Sequence, residues 1–253
     1  MKNLFCLFLA LLLFASCASK NMDLHKKREI AAATQRLGEE YYNLGKYTAA
    51  LKTLLKAQKT IPKDPYLNNS LGLVYLAKER YKLAEEHFKK ALTDKPDYIH
   101  AKNNLGAAYL KQKKWDLAIE CFKEVSQNIL YVTPEMPLSN LGWAYLNQKM
   151  YRMAKSYFKQ ALDINPGFLI AVHGISSIYI ETENYTQALN FLHSNLKLNP
   201  GAAILHSDLA KVYESLKDYN QAKKSWELVL ELVPPRSHLA REARERLLSL
   251  DGS

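Results

Sequence analysis

A 34-residue period constrains this chain more than any other feature of its sequence. Tyr41, Tyr75 and Tyr109 follow one another at steps of 34, Tyr145 comes after 36, and Tyr179 and Tyr213 resume the step of 34. A second aromatic column lies six residues further on, at Tyr47, Tyr81, Trp115, Tyr151, Tyr185 and Tyr219. Each is followed at a fixed offset by an alanine (Ala50, Ala84, Ala118, Ala154, Ala188, Ala222) and then by a large apolar residue: Leu54, Phe88, Phe122, Phe158, Leu192 or Trp226. Proline closes five of the six repeats, and Leu130 holds that place in the third. A repeat this short cannot bury its apolar face alone, so successive copies must stack into a solenoid.

The order glycine, tyrosine, alanine, aromatic, proline resembles the tetratricopeptide repeat, a pair of helices joined by a tight turn. The resemblance implies an all-α, right-handed superhelical solenoid of six helix pairs. The repeats span 31–64, 65–98, 99–132, 135–168, 169–202 and 203–236. Small residues (Gly38, Gly72, Gly106, Gly142, Ser176, Ala210) fall where two helices cross and let their backbones approach. Beyond Pro234 and Pro235 the period stops. Ser237 can cap one further helix with an apolar stripe of Leu239, Ala243, Leu247 and Leu250, so 237–253 reads as a capping helix and tail.

The N-terminus carries a different message. MKNLFCLFLALLLFASC pairs a basic start with an apolar run too short to span a bilayer, which needs about 20 residues. Its ending LFASC resembles a bacterial lipobox, with Phe14 where that family has leucine. The resemblance implies a signal peptide over 1–16, lipidation of Cys17 and a polar tether to residue 30. The alternative is ordinary cleavage after Ala15 or Ala18. Alanine rather than aspartate after Cys17 implies the periplasmic face of the bacterial outer membrane, with the membrane reached through the lipid. Of three cysteines only Cys121 is left for the mature fold, beside the core position Phe122, as a buried or half-buried thiol.

Thirty-five basic against 25 acidic residues give a formal charge of +10, one less once Lys2 leaves with the signal. Export removes nucleic acid as a partner, and the lysines are scattered over helix surfaces instead of being interleaved with aromatics. The seven histidines lack metal-ligand spacing, and EEHF at Glu85–Phe88 lacks the second histidine of a zinc helix. Phosphate loops, GxSxG elbows and paired carboxylates are likewise missing from the sequence. The expectation is a non-enzymatic protein without cofactor, metal or small-molecule substrate, whose partner is another protein.

In this fold the first helices of successive repeats line a groove, and the positions facing it are not dictated by packing. They are Tyr66, Asn69, Leu73 and Leu76 in the second repeat, Asn104 and Leu110 in the third, and Met136, Asn140, Trp143 and Leu146 in the fourth. Ile170, His173 and Ile180 follow in the fifth. An apolar stripe left bare marks a partner. Trp143 stands in a column otherwise holding Glu39, Leu73, Ala107, Ser177 and Lys211, so it reads as a groove anchor or as packing against the irregular loop before it. Asn104 and Asn140 resemble half of the carboxylate clamp of chaperone-binding repeats, and imply amides that hold a ligand backbone. The basic half is absent, with Ile170 and Gly174 in the next repeat.

The one irregularity, QNILYVTPEMPL at Gln127–Leu138, inserts two residues and brings in Pro134 and Pro137. Together with NLGWAYL, the six repeats and the lipobox, it resembles the pilotin lipoproteins of type IV pili. That resemblance implies a protein that escorts an outer-membrane secretin subunit and promotes its multimerisation. An adaptor for cell-wall enzymes or for outer-membrane protein assembly would share every core position.

Overall fold

The computed structural model describes residues 25–128 and 131–251. Cys17, the signal segment, the start of the tether and Leu130 lie outside the described residues. Thirteen helices and no strand occur among the described residues: α1 over 25–43, α2 Tyr47–Gln58, α3 Pro65–Ala77, α4 Tyr81–Asp94, α5 Ile99–Lys111, α6 Trp115–Ser126 and α7 Glu135–Asn147. They continue with α8 Tyr151–Ile164, α9 Leu169–Glu181, α10 Tyr185–Leu198, α11 Ala203–Ser215, α12 Tyr219–Leu232 and α13 His238–Asp251. Helix is already present at 25–30, within the stretch expected to be tether. None of the described helices is long and apolar enough to cross a membrane.

Each turn between paired helices is built the same way. The tyrosine carbonyl accepts a hydrogen bond from the N–H five residues on: Lys46 to Tyr41, Arg80 to Tyr75, Lys114 to Tyr109, Met150 to Tyr145, Asn184 to Tyr179 and Asp218 to Tyr213, all at 2.8–2.9 Å. This Schellman closure places the residue before the donor in the left-handed region. Gly45 fills that place in the first repeat, at φ 69°. Glu79, Lys113, Lys149, Glu183 and Lys217 fill it in the others, with φ between 56° and 61°.

Two compact units divide the chain between Lys114 and Trp115. In the first, α2, α3, α4 and α5 pack in sequence, and α3 also meets α5. Its core includes Ala31, Leu54, Leu67, Leu71 and Val74. In the second, neighbouring helices pack in order from α6 to α13, and α7, α9 and α11 stack through contacts of α9 with both others. The alanine column and the large apolar column are both wholly inaccessible to solvent throughout. The small residues earn their place sterically: a Cβ on Gly72 would lie 2.4 Å from Phe88, and one on Gly142 2.6 Å from Phe158; Gly174, outside that column, is as close-packed, 2.2 Å from the Phe158 ring.

The array ends as its last residues suggest. Ser237 Oγ accepts from the Ala240 N–H at 3.1 Å, capping α13. Leu239, Ala243, Leu247 and Leu250 then cover Ala210, Trp226 and Val229.

Candidate functional site

The first unit holds a cavity of about 500 Å³ on the faces of α1 and α3 and at the start of α5. Leu54 and Leu73 provide apolar lining, and Tyr42, Tyr66 and Tyr98 add aromatic surface. Glu39, from the column that holds Trp143 in the fourth repeat, is fixed at the polar side. Its Oε1 accepts from Ser70 Oγ at 2.6 Å and from Gln35 Nε2 at 3.0 Å. Tyr66 and Tyr98 meet edge to face at 5.1 Å. Lys95 Nζ donates to the Tyr66 hydroxyl at 2.7 Å and lies 4.9 Å and 5.5 Å from the two ring centres. Burial raises the Tyr98 hydroxyl above its ordinary range, and Tyr66, Glu39 and Asp64 push the same way.

In the second unit a polar row crosses α7, α9 and α11. Trp143 lies edge-on to Phe158 at 5.6 Å and against His173 at 5.2 Å. His173 Nδ1 is 2.7 Å from Asp208 Oδ2, and Ser176 Oγ donates to that same carboxylate oxygen. Serine, histidine and aspartate thus meet, but not as a nucleophilic triad. That chemistry needs the serine hydroxyl on the histidine base, whereas Ser176 is wholly buried and gives its proton to the aspartate. The arrangement ties three successive repeats together and holds the His173 ring beside Trp143.

Several sequence expectations change once side chains are placed. Leu146 is 3 % exposed and belongs to the core, because its position on α7 turns it inward. It cannot line a groove. Asn69 is largely buried yet still lines the cavity of the first unit, and Asn104 Nδ2 donates to its Oδ1 at 2.9 Å. That bond takes one hydrogen of the half-buried Asn104 amide to the preceding repeat and leaves its second hydrogen and its Oδ1 for other partners. Asn140 is half-buried and has a partner of its own. Tyr66 and Ile170 are exposed, at 46 % and 39 %. Leu73, Leu76, Leu110, Met136, Trp143 and Ile180 are half-buried. Of these positions, those up to Leu110 lie in the first unit and those from Met136 onward in the second.

Other residues acquire roles the sequence did not disclose. Gln35, Ser70 and Tyr98 join the cavity, and Asp208 anchors the polar row. None carries a motif: Gln35 acts through Glu39 one turn away, and Ser70, Tyr98 and Asp208 depend on contacts about a full period away in sequence. His87 of the EEHF segment is buried, stacked on Tyr75 at 5.2 Å and paired with Asn68 Oδ1 at 3.1 Å. Glu85, from the same segment, receives Lys114, Lys89 and Gln112. Burial alone would raise the Glu85 carboxyl; the three donors instead hold it down to about 2. Cys121 is a buried cysteine outside any disulfide.

Family models described as "Tetratricopeptide repeat" match residues 64–130, 97–166 and 205–234, and one described as "TPR repeat" matches 38–79. The comparison with curated proteins finds no match. Among solved structures, Pseudomonas aeruginosa pilF is 23 % identical, with a TM-score of 0.65 over 87 % of this chain and 99 % of its own. PilW, a widely conserved type IV pilus biogenesis factor, is 20 % identical, with a TM-score of 0.71 over 84 % and 97 %. A tetratricopeptide repeat protein from Parabacteroides merdae reaches 0.74 at 14 % identity, over 88 % and 84 %. The in-phase repeats, the recurring turn and the family matches lead to one conclusion: the chain belongs to the tetratricopeptide-repeat family.

Proposed function

We propose that this protein is a lipid-anchored outer-membrane component of the type IV pilus machinery that binds a secretin subunit and promotes its multimerisation. The observation that carries this reading is the likeness of fold, nearly end to end, to pilF and to the pilus biogenesis factor PilW. The lipobox-like LFASC supports it independently. In this reading Cys17 carries the lipid that delivers the complex. Each unit offers exposed and half-buried apolar residues of its own for contact, Leu73 and Leu110 in the first, Trp143 and Ile170 in the second. Burying one large apolar side chain contributes roughly 1.5–3 kcal/mol, and tryptophan is a frequent interface anchor.

Deleting the gene and following secretin multimers on gels tests the reading directly. Multimers should disappear and return with the wild-type gene. Trp143→Ala and Leu110→Ser, each checked for retained helicity and melting, should reduce them. Mass spectrometry of the mature N-terminus should find an acylated Cys17. A free amine at Ser16 or Ser19 would remove the anchor from the proposal. A second reading, an envelope adaptor for cell-wall enzymes or outer-membrane protein assembly, would share every core position of these repeats. Secretin multimers left intact by the deletion would select it.

A further inference from the structure

The cavity of the first unit has a chemical preference of its own. We propose that it binds a basic side chain, arginine or lysine, of the partner polypeptide, with the cationic head on Glu39 and the methylene stem against tyrosine rings. This deepens the reading above by naming what the partner presents, and it rests on the partner being a polypeptide.

Three observations carry it. Glu39 is half-buried and already positioned: both of its hydrogen bonds fall on Oε1, which leaves Oε2 without a donor among the described residues. A carboxylate held in one orientation at the edge of a cavity forms charge-assisted bonds without first losing side-chain freedom. The aromatic lining is the second. The rings of Tyr42, Tyr66 and Tyr98 offer surface to an apolar stem, and Lys95 Nζ already stands 4.9 Å and 5.5 Å from the Tyr66 and Tyr98 ring centres, so the incoming cationic head belongs on Glu39 and not on those faces. Size is the third. About 500 Å³ exceeds what one small ion fills and suits a long side chain with its flanking backbone. The net charge of +10 points the other way for the molecule as a whole, so a basic partner would be selected locally, by this carboxylate.

The test uses acetyl-Ala-Arg-Ala-amide and the same peptide with citrulline, which matches arginine in shape but carries no charge. Both are titrated into the purified protein and followed by amide NMR shifts. The arginine peptide should bind about ten-fold tighter than the citrulline peptide, the ratio expected from one charge-assisted pair. Glu39→Gln should bring the two within about two-fold of each other, with melting unchanged because the carboxamide oxygen still accepts from Ser70. Equal affinity of the two peptides for the wild type overturns the proposal, whatever the variant does. So does tighter binding of a glutamate peptide that is lost in Lys95→Gln, which would make Lys95 the recognition group. Choline-headgroup vesicles that compete with the arginine peptide as well as free arginine amide does would also overturn it, in favour of a lipid ligand. If arginine selectivity fails while secretin multimers still depend on the protein, only this inference falls. If selectivity holds and multimers form without the protein, the pilus reading falls and the basic-side-chain site remains.

Discussion

His87 is buried where a charge is poorly tolerated, and its surroundings say which form it takes. Asn68 Nδ2 donates to the carbonyls of Pro62 and Asp64, both at 3.0 Å, which turns Asn68 Oδ1 toward the imidazole. Nδ1 of His87 must then carry the hydrogen. Burial, helped by Lys90, pushes the His87 pKa down to about 4. Between pH 6.5 and 4 the unfolded chain takes up a proton that the folded chain refuses, so stability is full above that window and falls as the pH drops through it. Wild-type protein should lose on the order of 2 kcal/mol between pH 7 and 4.5 from this group. His87→Gln should flatten that loss, as read from urea midpoints at the two pH values. Glu85 does not confuse the measurement. Its carboxyl is held at about 2, so the stability it contributes is present above its ordinary range and fades only as the pH falls toward 2.

At the scale of the element, the helix-pair turn is the recurring device and also a recurring strain. Five of its six copies place glutamate or lysine in the left-handed region, where a side chain costs roughly 1–2 kcal/mol. Gly45 shows that the turn accepts glycine. Lys149→Gly should therefore stabilise the second unit by about 0.5–1 kcal/mol, the relieved strain exceeding the added freedom of the unfolded chain. Lys149→Val, branched at Cβ, should destabilise by about 1–2 kcal/mol. Urea denaturation of the two variants reads both effects. Opposite signs are the signature of backbone strain; equal losses would mean that the lysine side chain itself matters.

At the scale of the molecule, a repeat array is stabilised by neighbour contacts, so its ends need cover. α13 provides it at the C-terminus, laying Leu239, Leu247 and Leu250 over the fully buried Trp226. Trp226 also donates through Nε1 to Glu214 at 2.6 Å, and Arg246 of α13 reaches the other oxygen of that carboxylate at 3.3 Å. A chain stopped after Arg236 should lose roughly 3 kcal/mol through the uncovered tryptophan and valine. It should also self-associate through that bare face. Light scattering and thermal melting of the truncated chain check both. A monomer melting with the full-length protein would show that the last pair closes itself.

What the sequence settled by itself is the repetitive part. The 34-residue columns specify where helices cross, because only small residues permit the approach seen at Gly72 and Gly142 and only large ones, Phe88 and Phe158, fill the space beside them. Ser237 and the stripe behind it likewise announced the closing helix. The tertiary structure decided the rest, for one physical reason: the groups on the recognition faces are set by contacts a full repeat apart. One hydrogen of the Asn104 amide goes to Asn69, Leu146 looked like lining until it turned into the core, and Glu39 gained its cavity only when Ser70 of the next repeat came within 2.6 Å. The left-handed residues were also hidden, since glutamate and lysine give no sign of the φ that the Schellman closure demands of them.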